Sequence, residues 1–140
     1  MTADYLLDTN VVIDLLRARS TVVRGRFREA VASGASVMIS SITLFELNHG
    51  IAKSSRPEQN AAALNMLLRS QIEVISFSRE DASEAGLLTA HLESQGRRIG
   101  PYDLLIAAQA LRTGATLVTA NFSEFSRVRD LAWEDWTQTD

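Results

Sequence analysis

The chain has 140 residues, of which 46% are hydrophobic and 22% charged. This composition excludes global disorder and fits one domain with a packed core. There is no cysteine, so disulfides, thiolate zinc sites and cysteine nucleophiles are excluded. The net charge of −3 argues against a protein that binds nucleic acid through charge alone, because such domains are basic overall. It is compatible with a nucleic-acid enzyme, since acids gathered at a metal site lower the net charge.

The sequence shows no targeting or membrane signal. No apolar run reaches the ~18–20 residues that a membrane span needs, and Asp4 puts an acid where a secretory signal would carry basic charge. We therefore expect a cytoplasmic protein with no membrane partner. Of its 14 basic residues only Lys53 is a lysine. The rest are arginines, which favour two-pronged contacts with phosphate or carboxylate.

Short apolar runs alternate with longer stretches of helical character along the chain. The predicted strands are Tyr5–Leu7, Val37–Ile39, Ile72–Phe77, Thr116–Thr119 and a short last strand near Leu131–Trp136. The predicted helices are Val11–Ala18, Arg24–Ser33, Thr43–Lys53, Pro57–Arg69, Arg79–Gln95 and Pro101–Arg112. This alternation indicates an α/β fold, with a central parallel sheet of four to five strands flanked by helices on both faces.

Residue type also suggests how the predicted helices begin. Thr9 or Asn10 is available to cap the first helix. Ser40, Ser41 and Thr43 are cap candidates for the third helix. These hydroxyl and amide side chains accept hydrogen bonds from backbone N–H groups that a helix start leaves without partners.

Three acidic residues stand where predicted strands end. Asp8 follows the first strand, Glu46 lies in the first or second turn of the helix after the second strand, and Asp103 lies in the first turn of a later helix. Sites in parallel sheets form at the carboxyl ends of the strands, so the three carboxylates should face one crevice. Taken singly, each has an ordinary alternative: a turn or capping acid, a surface acid, or an acid that stabilises a helix start.

Asp103 is the hardest of the three to explain as ordinary structure. Its helix is apolar nearly all round, with Ile106 and Ala107 one turn further on. A buried charge needs a partner, and Arg97 and Arg98 are the closest basic candidates.

Charge repulsion predicts a cation at this acidic cluster. Two carboxylates ~4 Å apart repel by about 4 kcal/mol at an effective dielectric near 20, so either some are protonated or a cation binds between them. An oxygen-only set of ligands suits Mg²⁺ or Mn²⁺. Asn121 and Glu124, after the fourth strand, are candidates for an additional site residue, and a helix turn capped by Asn121 is the alternative.

Four stretches, followed by a matching ending, give the sequence a family likeness. In chain order they are Leu6–Asn10 with Asp14, Ser40–Leu47, Asp103–Ala110, Leu117–Phe125 and the ending Val128–Trp136. The sequence resembles PIN-domain ribonucleases, and within them the VapC-type toxins of bacterial toxin–antitoxin pairs. The likeness covers essentially the whole chain, and it implies a single PIN-like domain over residues 1–140.

The resemblance implies an endoribonuclease that depends on Mg²⁺ or Mn²⁺. Positions that match the family's acidic site residues are Asp8, Glu46 and Asp103, and Thr9 matches a small hydroxyl residue beside the metal. The family often has a further acid near the last strand, where this chain has Asn121, so Glu124 or water competes for that place. The likeness also implies a cognate VapB-type antitoxin, a homodimer and a higher assembly with the antitoxin.

Arginines are the expected contacts to RNA phosphates. The candidates are Arg17, near the first helix, and Arg97 and Arg98, which precede Asp103. Other arginines form a basic stretch around the first two helices, with a solvated helical face as the alternative: Arg19, Arg24, Arg26 and Arg28.

The third and fourth helices carry more apolar side chains than one core face needs: Leu44, Phe45, Leu47, Ile51, Leu64, Met66, Leu67 and Leu68. The excess predicts a dimer face or a groove for a partner peptide. His49 and His91 are interpreted as structural or surface groups.

Three other functions are compatible with an acidic α/β site. A haloacid-dehalogenase-type phosphatase would show Asp-x-Asp at the first strand and a later lysine, whereas this chain has Asp8-Thr9-Asn10 and only Lys53. A non-catalytic metal-binding module of the von Willebrand A type would show Asp-x-Ser-x-Ser, which is also unmatched. A PIN-like module that binds RNA without cutting it is disfavoured by the retained acids.

Overall fold

The computed structural model describes residues 3–17 and 20–138. Within them the chain forms five strands, β1 Asp4–Leu7, β2 Ser36–Ser40, β3 Glu73–Ile75, β4 Thr116–Val118 and β5 Trp133–Glu134. The same residues form seven helices, α1 Thr9–Arg17, α2 Thr21–Ala32, α3 Ser41–Lys53, α4 Pro57–Ser70, α5 Arg79–Ser94, α6 Pro101–Thr113 and α7 Phe122–Phe125.

The strands form one parallel sheet in the order β3-β2-β1-β4-β5. The predicted α/β fold with a central parallel sheet is confirmed. β1 lies in the middle, with Tyr5 opposite Val37 of β2 on one side and opposite Thr116 of β4 on the other. The strand order reverses between β1 and β4, and crevices at the carboxyl edge form at such a point. Asp8, directly after β1, therefore lies at the centre of that edge.

Each face of the sheet carries its own buried core. Leu7 and Val118 face a core that includes Ile39 and is covered by α1 to α4. Their neighbours Leu6 and Leu117 face the other core, covered by α5 and α6. Side chains alternate between the faces of a strand, so these adjacent apolar residues require helices on both sides. No helix in the described residues is long and apolar enough to cross a membrane.

Three helices, α1, α2 and α3, begin earlier than the sequence predicts. α1 begins at Thr9 because Asp8 Oδ1 accepts a hydrogen bond from Val11 N at 3.0 Å. Asp8 is therefore the cap of this helix. The prediction that Thr9 or Asn10 caps it is wrong. α2 begins at Thr21 with Ser20 as its cap. For α3 the cap is Ser40, whose Oγ accepts from Ile42 N at 3.0 Å.

The outer strands are shorter than predicted. The helix turn that was the alternative at Asn121 is present as α7, although the Asn121 side chain makes no capping hydrogen bond there. The third strand ends at Ile75 because the backbone continues away from β2, and Phe77 N donates to Ser41 Oγ at 2.9 Å instead. The last strand is confined to Trp133–Glu134. Ala18 and Arg19, the predicted end of the first helix and part of the basic stretch, lie outside the described residues.

A buried ionic cluster joins α5 to α6, the helix that carries Asp103. The carboxylate of Asp81 is completely buried. Its Oδ2 accepts from Ser78 N at 2.8 Å and from Gln109 Nε2 at 3.0 Å, and its Oδ1 accepts from Arg112 Nε. Burial alone would raise the pKa of Asp81, but the hydrogen bonds from Arg112 and Ser78 outweigh it and lower that pKa. The cluster therefore fixes α6 relative to α5.

We predict that Arg112→Met lowers the free energy of unfolding by about 3 kcal/mol, because it leaves a buried carboxylate without its cation. The pKa of Asp81 is lower in the folded chain than in the unfolded chain. Its contribution is therefore present above pH ~4 and lost as the pH falls below that value. Urea unfolding between pH 3 and 7 should show a shallower acid dependence in the variant. Arg79→Met, at an exposed position on α5, is the control, and equal losses in both variants would contradict the prediction.

Candidate active site

Asp8 is held rigidly at the carboxyl end of β1. Its side chain is 4% exposed. Besides capping α1 through Oδ1, it accepts a hydrogen bond at Oδ2 from Thr119 Oγ1 at 2.6 Å. Thr119 is itself fully buried just after β4, and its Oγ1 accepts from Asn121 N at 2.9 Å. The two central strands therefore fix both carboxylate oxygens.

Burial raises the pKa of Asp8 above its ordinary value, and the negative charge of Glu46 adds to that rise. Hydrogen bonds from Thr119 and Val11 favour the ionised form but do not cancel the effect of burial. The pKa of Asp8 thus shows that it faces another acid in a site poor in solvent.

Glu46 lies in the second turn of α3 and faces α1. Thr9 Oγ1 donates to Glu46 Oε1 at 2.8 Å and lies 3.3 Å from Thr43 Oγ1. Since Thr9 directly follows Asp8, this hydrogen bond ties Glu46 to the end of β1. Thr9 therefore orients Glu46, and its neighbour in the chain is Asp8.

Asp103 and Glu124 form a hydrogen-bonded carboxyl pair. Burial, the hydrogen bond to Glu124 and the negative charges of Glu124, Asp8 and Glu46 raise the pKa of Asp103 to about 7. The same hydrogen bond lowers the pKa of Glu124. The two carboxyl groups therefore lie close enough for each to shift the pKa of the other.

The backbone around Glu124 supports the negative charge of that residue. Gly100 N donates to Glu124 Oε1 at 3.2 Å, and Asn121 Nδ2 donates to Glu124 Oε2 at 3.3 Å. A Cβ placed on Gly100 would lie 3.5 Å from Asp103 Oδ2 and 3.6 Å from Glu124 Oε2, which shows how closely both carboxyl groups border this glycine. Of the two candidates for the additional position, Glu124 contacts Asp103, whereas Asn121 is a donor to Glu124.

The expected basic partners of Asp103 are not found. Arg98 pairs instead with Glu93, at 3.5 Å, and both Arg97 and Arg98 are exposed. Within residues 3–17 and 20–138, none of the ion pairs involves Asp8, Glu46, Asp103 or Glu124. The expectation that Arg97 or Arg98 neutralises Asp103 is therefore wrong, because the neighbour of Asp103 is a second acid.

The acids share one crevice without forming a ready-made ligand shell. The pKa of Asp8 responds to the charge of Glu46, and that of Asp103 responds to Asp8 and Glu46, so the groups lie within electrostatic reach of one another. They are nevertheless held in separate hydrogen-bonded arrangements. Among the described residues, no three His, Cys, Asp or Glu side chains are grouped closely enough to hold a metal ion.

A groove of about 170 Å³ opens beside Glu46. It is mostly apolar and lies between α1, α3 and α4, and its lining residues include Ile13, Leu16, Arg17, Glu46, Leu47, Gly50 and Ile51. One end of the groove therefore meets the acidic site. Arg17, a candidate for RNA contact, lines it.

The apolar residues of α3 and α4 divide between the core and the surface. Leu47 and Leu64 are buried, and Leu44, Ile51, Leu67 and Leu68 pack against that core. Phe45 and Met66 are exposed. The Phe45 ring stacks on His49, with centroids 6.2 Å apart, and contacts Tyr102 at 5.6 Å. His49 and His91 are both exposed, as expected for surface groups.

The arginines around the first two helices have different environments. Arg24 and Arg28 are exposed on α2. Arg26 is partly buried and pairs with Glu134 at 3.4 Å, so it helps to hold β5 rather than forming part of a free basic face.

Sequence reasoning missed Thr119 as a site residue. It was assigned to the end of a strand, and its signal is a hydroxyl residue where a buried strand gives way to a loop. In a parallel sheet, neighbouring strands end side by side. The Thr119 hydroxyl at the end of β4 therefore reaches Asp8 at the end of β1.

The PIN-domain family profile matches residues 5–131 of the chain. The chain belongs to the PIN-domain family. Among its relatives, the tRNA(fMet)-specific endonuclease VapC of Shigella flexneri is 38% identical over 133 residues, which are 95% of this chain and 98% of that protein. Ribonuclease VapC2 of Rickettsia felis is 39% identical over 94% of this chain and 97% of its own length.

Solved structures agree with this assignment of the PIN domain. The crystal structure of VapBC2 from Rickettsia felis bound to a DNA fragment from their promoter contains a chain that is 38% identical, with a TM-score of 0.88 over 95% of this chain and 98% of that one. DNA-bound VapBC from Salmonella typhimurium matches with a TM-score of 0.87 and 36% identity, over 96% of this chain and 98% of that one. The predicted family, PIN-domain ribonucleases of the VapC type, is confirmed.

PIN-domain nucleases generally depend on divalent metal ions, and the donors of this PIN domain suit such an ion. The facing side chains are carboxylates, with Thr9 and Thr119 hydroxyls beside them. No lysine or arginine in the described residues pairs with these acids, and burial raises the pKa of two of them. A cation would relieve both the repulsion and the cost of burial.

Proposed function

We propose that this PIN domain, extending over residues 1–140, is an Mg²⁺- or Mn²⁺-dependent endoribonuclease and the toxin of a toxin–antitoxin pair. One observation carries the proposal: four carboxyl groups lie within electrostatic reach of one another at the carboxyl edge of the sheet, none of them in an ion pair among the described residues, and the pKa of Asp103 is raised to about 7. Such a site favours a divalent cation and a phosphodiester substrate over a neutral ligand. We assign its action to the cytoplasm, where cellular RNA is translated.

Asp8 and Asp103 are the residues that we assign to hold the metal directly, with Glu46 as a ligand or as a group that orients one. A bound Mg²⁺ or Mn²⁺ would supply a water of lowered pKa and offset charge on the phosphate oxygens. Thr119 and the amide of Val11 hold the Asp8 carboxylate in one orientation.

The remaining site residues position or exchange a proton. Thr9 fixes Glu46 through its hydroxyl. Glu124 takes the fourth acidic place, and Asn121 holds it through its amide. Because the pKa of Asp103 is raised to about 7, its use as a ligand requires loss of its proton near neutral pH.

The alternatives are separated by their chemistry. A phosphatase of the haloacid-dehalogenase type needs a lysine beside its acids, and the chain's one lysine, Lys53 at the end of α3, has no ion-pair partner among the described acids of this site. A module that only binds metal or RNA would also hold Asp8 rigidly, and it is distinguished by the absence of RNA cleavage.

An RNA-cleavage assay tests the function. Protein treated with EDTA is assayed on single-stranded RNA, total cellular RNA and initiator tRNA, before and after Mg²⁺ or Mn²⁺ is added. Initiator tRNA is included because relatives from Shigella flexneri and Salmonella typhimurium are tRNA(fMet)-specific endonucleases. We expect internal cuts that appear only with the metal. Absence of cleavage in every metal and RNA would refute the proposal.

The exposed arginines are our proposed phosphate contacts. Arg97 and Arg98 lie in the loop before α6, and Arg17 lies at the groove beside Glu46. Replacing each by glutamine should weaken RNA binding and reduce its salt dependence without altering the cleavage position, because phosphate contacts do not read sequence.

The groove between α1, α3 and α4 is our proposed seat for the antitoxin. An apolar peptide segment would bury its side chains against Ile13, Leu16 and Ile51, and an acidic or polar end would reach Arg17. Because the groove ends at Glu46, such a segment would also block access to the acids, which accounts for inhibition by a VapB-type partner.

A second copy of the chain is our proposed partner for the surface of Phe45, His49 and Tyr102. Phe45 is 51% exposed and Tyr102 44% exposed, and exposed aromatic rings in one row are typical of interfaces. With the antitoxin bound as well, two copies would form the higher assembly.

We predict that Phe45→Ser weakens the homodimer about tenfold or more, because central aromatic residues dominate interface energies. Light scattering across a dilution series measures the change. Met66→Ser removes an exposed apolar side chain from α4 and is the control. A variant that dimerises as well as the unmodified chain would contradict the assignment.

A further inference from the structure

An exposed aromatic ring lies on α7, the short helix that also carries Glu124. Phe122 is 59% exposed, and its ring contacts Trp133 with centroids 5.3 Å apart at an interplanar angle of 51°. The ring is thus supported from one side by β5 and open to solvent on the other.

The position of this ring is fixed relative to the acids. Phe122 is the first residue of α7, between Asn121, which donates to Glu124, and Glu124 itself. Phe125, one turn later, is buried in the core. Trp133 is held by strand pairing opposite Leu117. Helix α7 and strand β5 therefore fix the position of the Phe122 ring.

Positive charge lies nearby. The guanidinium of Arg127, two residues after α7, lowers the pKa of Glu124 and donates to Arg98 O at 2.6 Å. The side chain of Arg98 is 77% exposed, and its guanidinium pairs with Glu93 at 3.5 Å at the surface. Aromatic rings beside arginines are the combination that binds single-stranded nucleic acid, because the rings stack on bases and the arginines contact phosphates.

The surface around Phe122 is too polar for a protein partner of ordinary size. The exposed residues that follow it are Ser123, Ser126, Arg129 and Asp130. A stable protein interface needs about 800 Å² from each partner, and its centre is depleted in charge. One unpaired base, by contrast, covers one ring.

We infer that Phe122, supported by Trp133, stacks on an unpaired base of the RNA substrate beside the bond that is cut. The inference rests on the proposed ribonuclease function and adds a residue that positions its substrate. A base can stack on this ring only when it is unstacked from its own neighbours, so the base that Phe122 contacts is unpaired.

The test compares Phe122→Leu with Phe122→Tyr. Leucine keeps an apolar side chain but has no aromatic face, whereas tyrosine keeps the face. We expect Phe122→Leu to raise KM for a short single-stranded RNA by roughly 5- to 150-fold, with kcat unchanged, and Phe122→Tyr to behave like the unmodified chain. Thermal unfolding of each variant, and its mass by light scattering, are measured on the same preparations.

A second series removes one base at a time from the RNA, leaving the phosphates in place. At one position near the cut, loss of the base should raise KM as much as Phe122→Leu does, and combining the two changes should add nothing. Additive effects at every position would overturn the stacking role, as would an unchanged KM in Phe122→Leu or an altered oligomeric mass. The nuclease assignment stands in those cases. If the unmodified chain cuts no RNA, both proposals fall.

Discussion

Asp8→Asn should cut RNA about 1000-fold more slowly than the unmodified chain and unfold at the same temperature or higher. The loss follows from removing the metal contact that we propose for Asp8, worth several kcal/mol of barrier. Stability is retained because asparagine can still accept the hydrogen bond of Val11 and pair with Thr119. It can increase because burial raises the pKa of Asp8, which means that the ionised carboxylate destabilises the metal-free fold near neutral pH.

Two further variants sharpen this prediction. Asp4→Asn, at the exposed beginning of the same strand, should leave the rate unchanged. Thr119→Val removes the hydroxyl that orients Asp8, and it should lower activity by about 10- to 100-fold with weaker metal binding. Cleavage rates with saturating Mn²⁺ and melting temperatures in EDTA provide both readouts. Full metal-dependent activity in the Asp8→Asn variant would show that Asp8 is not a metal ligand.

Glu124→Gln should shift the pH at which activity appears. In the unmodified chain the pKa of Asp103 is about 7, so only about one tenth of it is ionised at pH 6. Glutamine removes the negative charge of Glu124, so the pKa of Asp103 falls, although burial, the largest cause of its rise, remains. At subsaturating metal, the ratio of the rate at pH 6 to the rate at pH 8 should therefore rise by about threefold and by no more than about tenfold.

We use the ratio because replacing Glu124 can also change the cleavage rate at every pH. Dividing by the rate at pH 8 removes that change. Glu93→Gln, at the exposed partner of Arg98, is the matched control and should keep the original profile. If Glu124→Gln shows that same profile, Glu124 does not set the ionisation of Asp103.

The same carboxyl group makes metal-free stability depend on pH. The folded pKa of Asp103 lies above its unfolded value, so the folded chain binds more protons between pH ~4 and ~7. Stability should therefore decrease as the pH rises through that window and level off above it, and Asp8 contributes with the same sign. Melting curves in EDTA from pH 5 to 8 measure this, and added Mn²⁺ should stabilise the protein most at the upper end.

The fold was predictable because its signals are local. Leu6 and Leu7 are adjacent apolar residues that both need cover, and this requires a sheet with helices on two faces. The edge at which Asp8, Glu46 and Asp103 gather follows from parallel strands alone. The bounds of α7 and of the shortened outer strands were not predictable. Tertiary contacts, such as the hydrogen bond from Phe77 N to Ser41 Oγ, decide where such elements end.

The partners of the acids were less predictable than the acids. Arg97 and Arg98 are near Asp103 in sequence, but the loop turns them outward, and Glu124, 21 positions later, takes the place beside it. Thr119 is 111 residues from Asp8, so only the strand order β1-β4 brings them together. Pairings of this kind depend on topology, and no local pattern encodes them.

The capping of α1 by Asp8 has a consequence for genetics. One side chain starts a helix and also occupies the proposed site, so substitutions at this position separate into two classes. Asparagine leaves the helix cap intact, whereas alanine removes the acceptor for Val11 N and costs about 1 kcal/mol besides. In a selection for cells that survive expression of this chain, survivors with asparagine should accumulate full-length protein, and survivors with alanine should show reduced amounts of it.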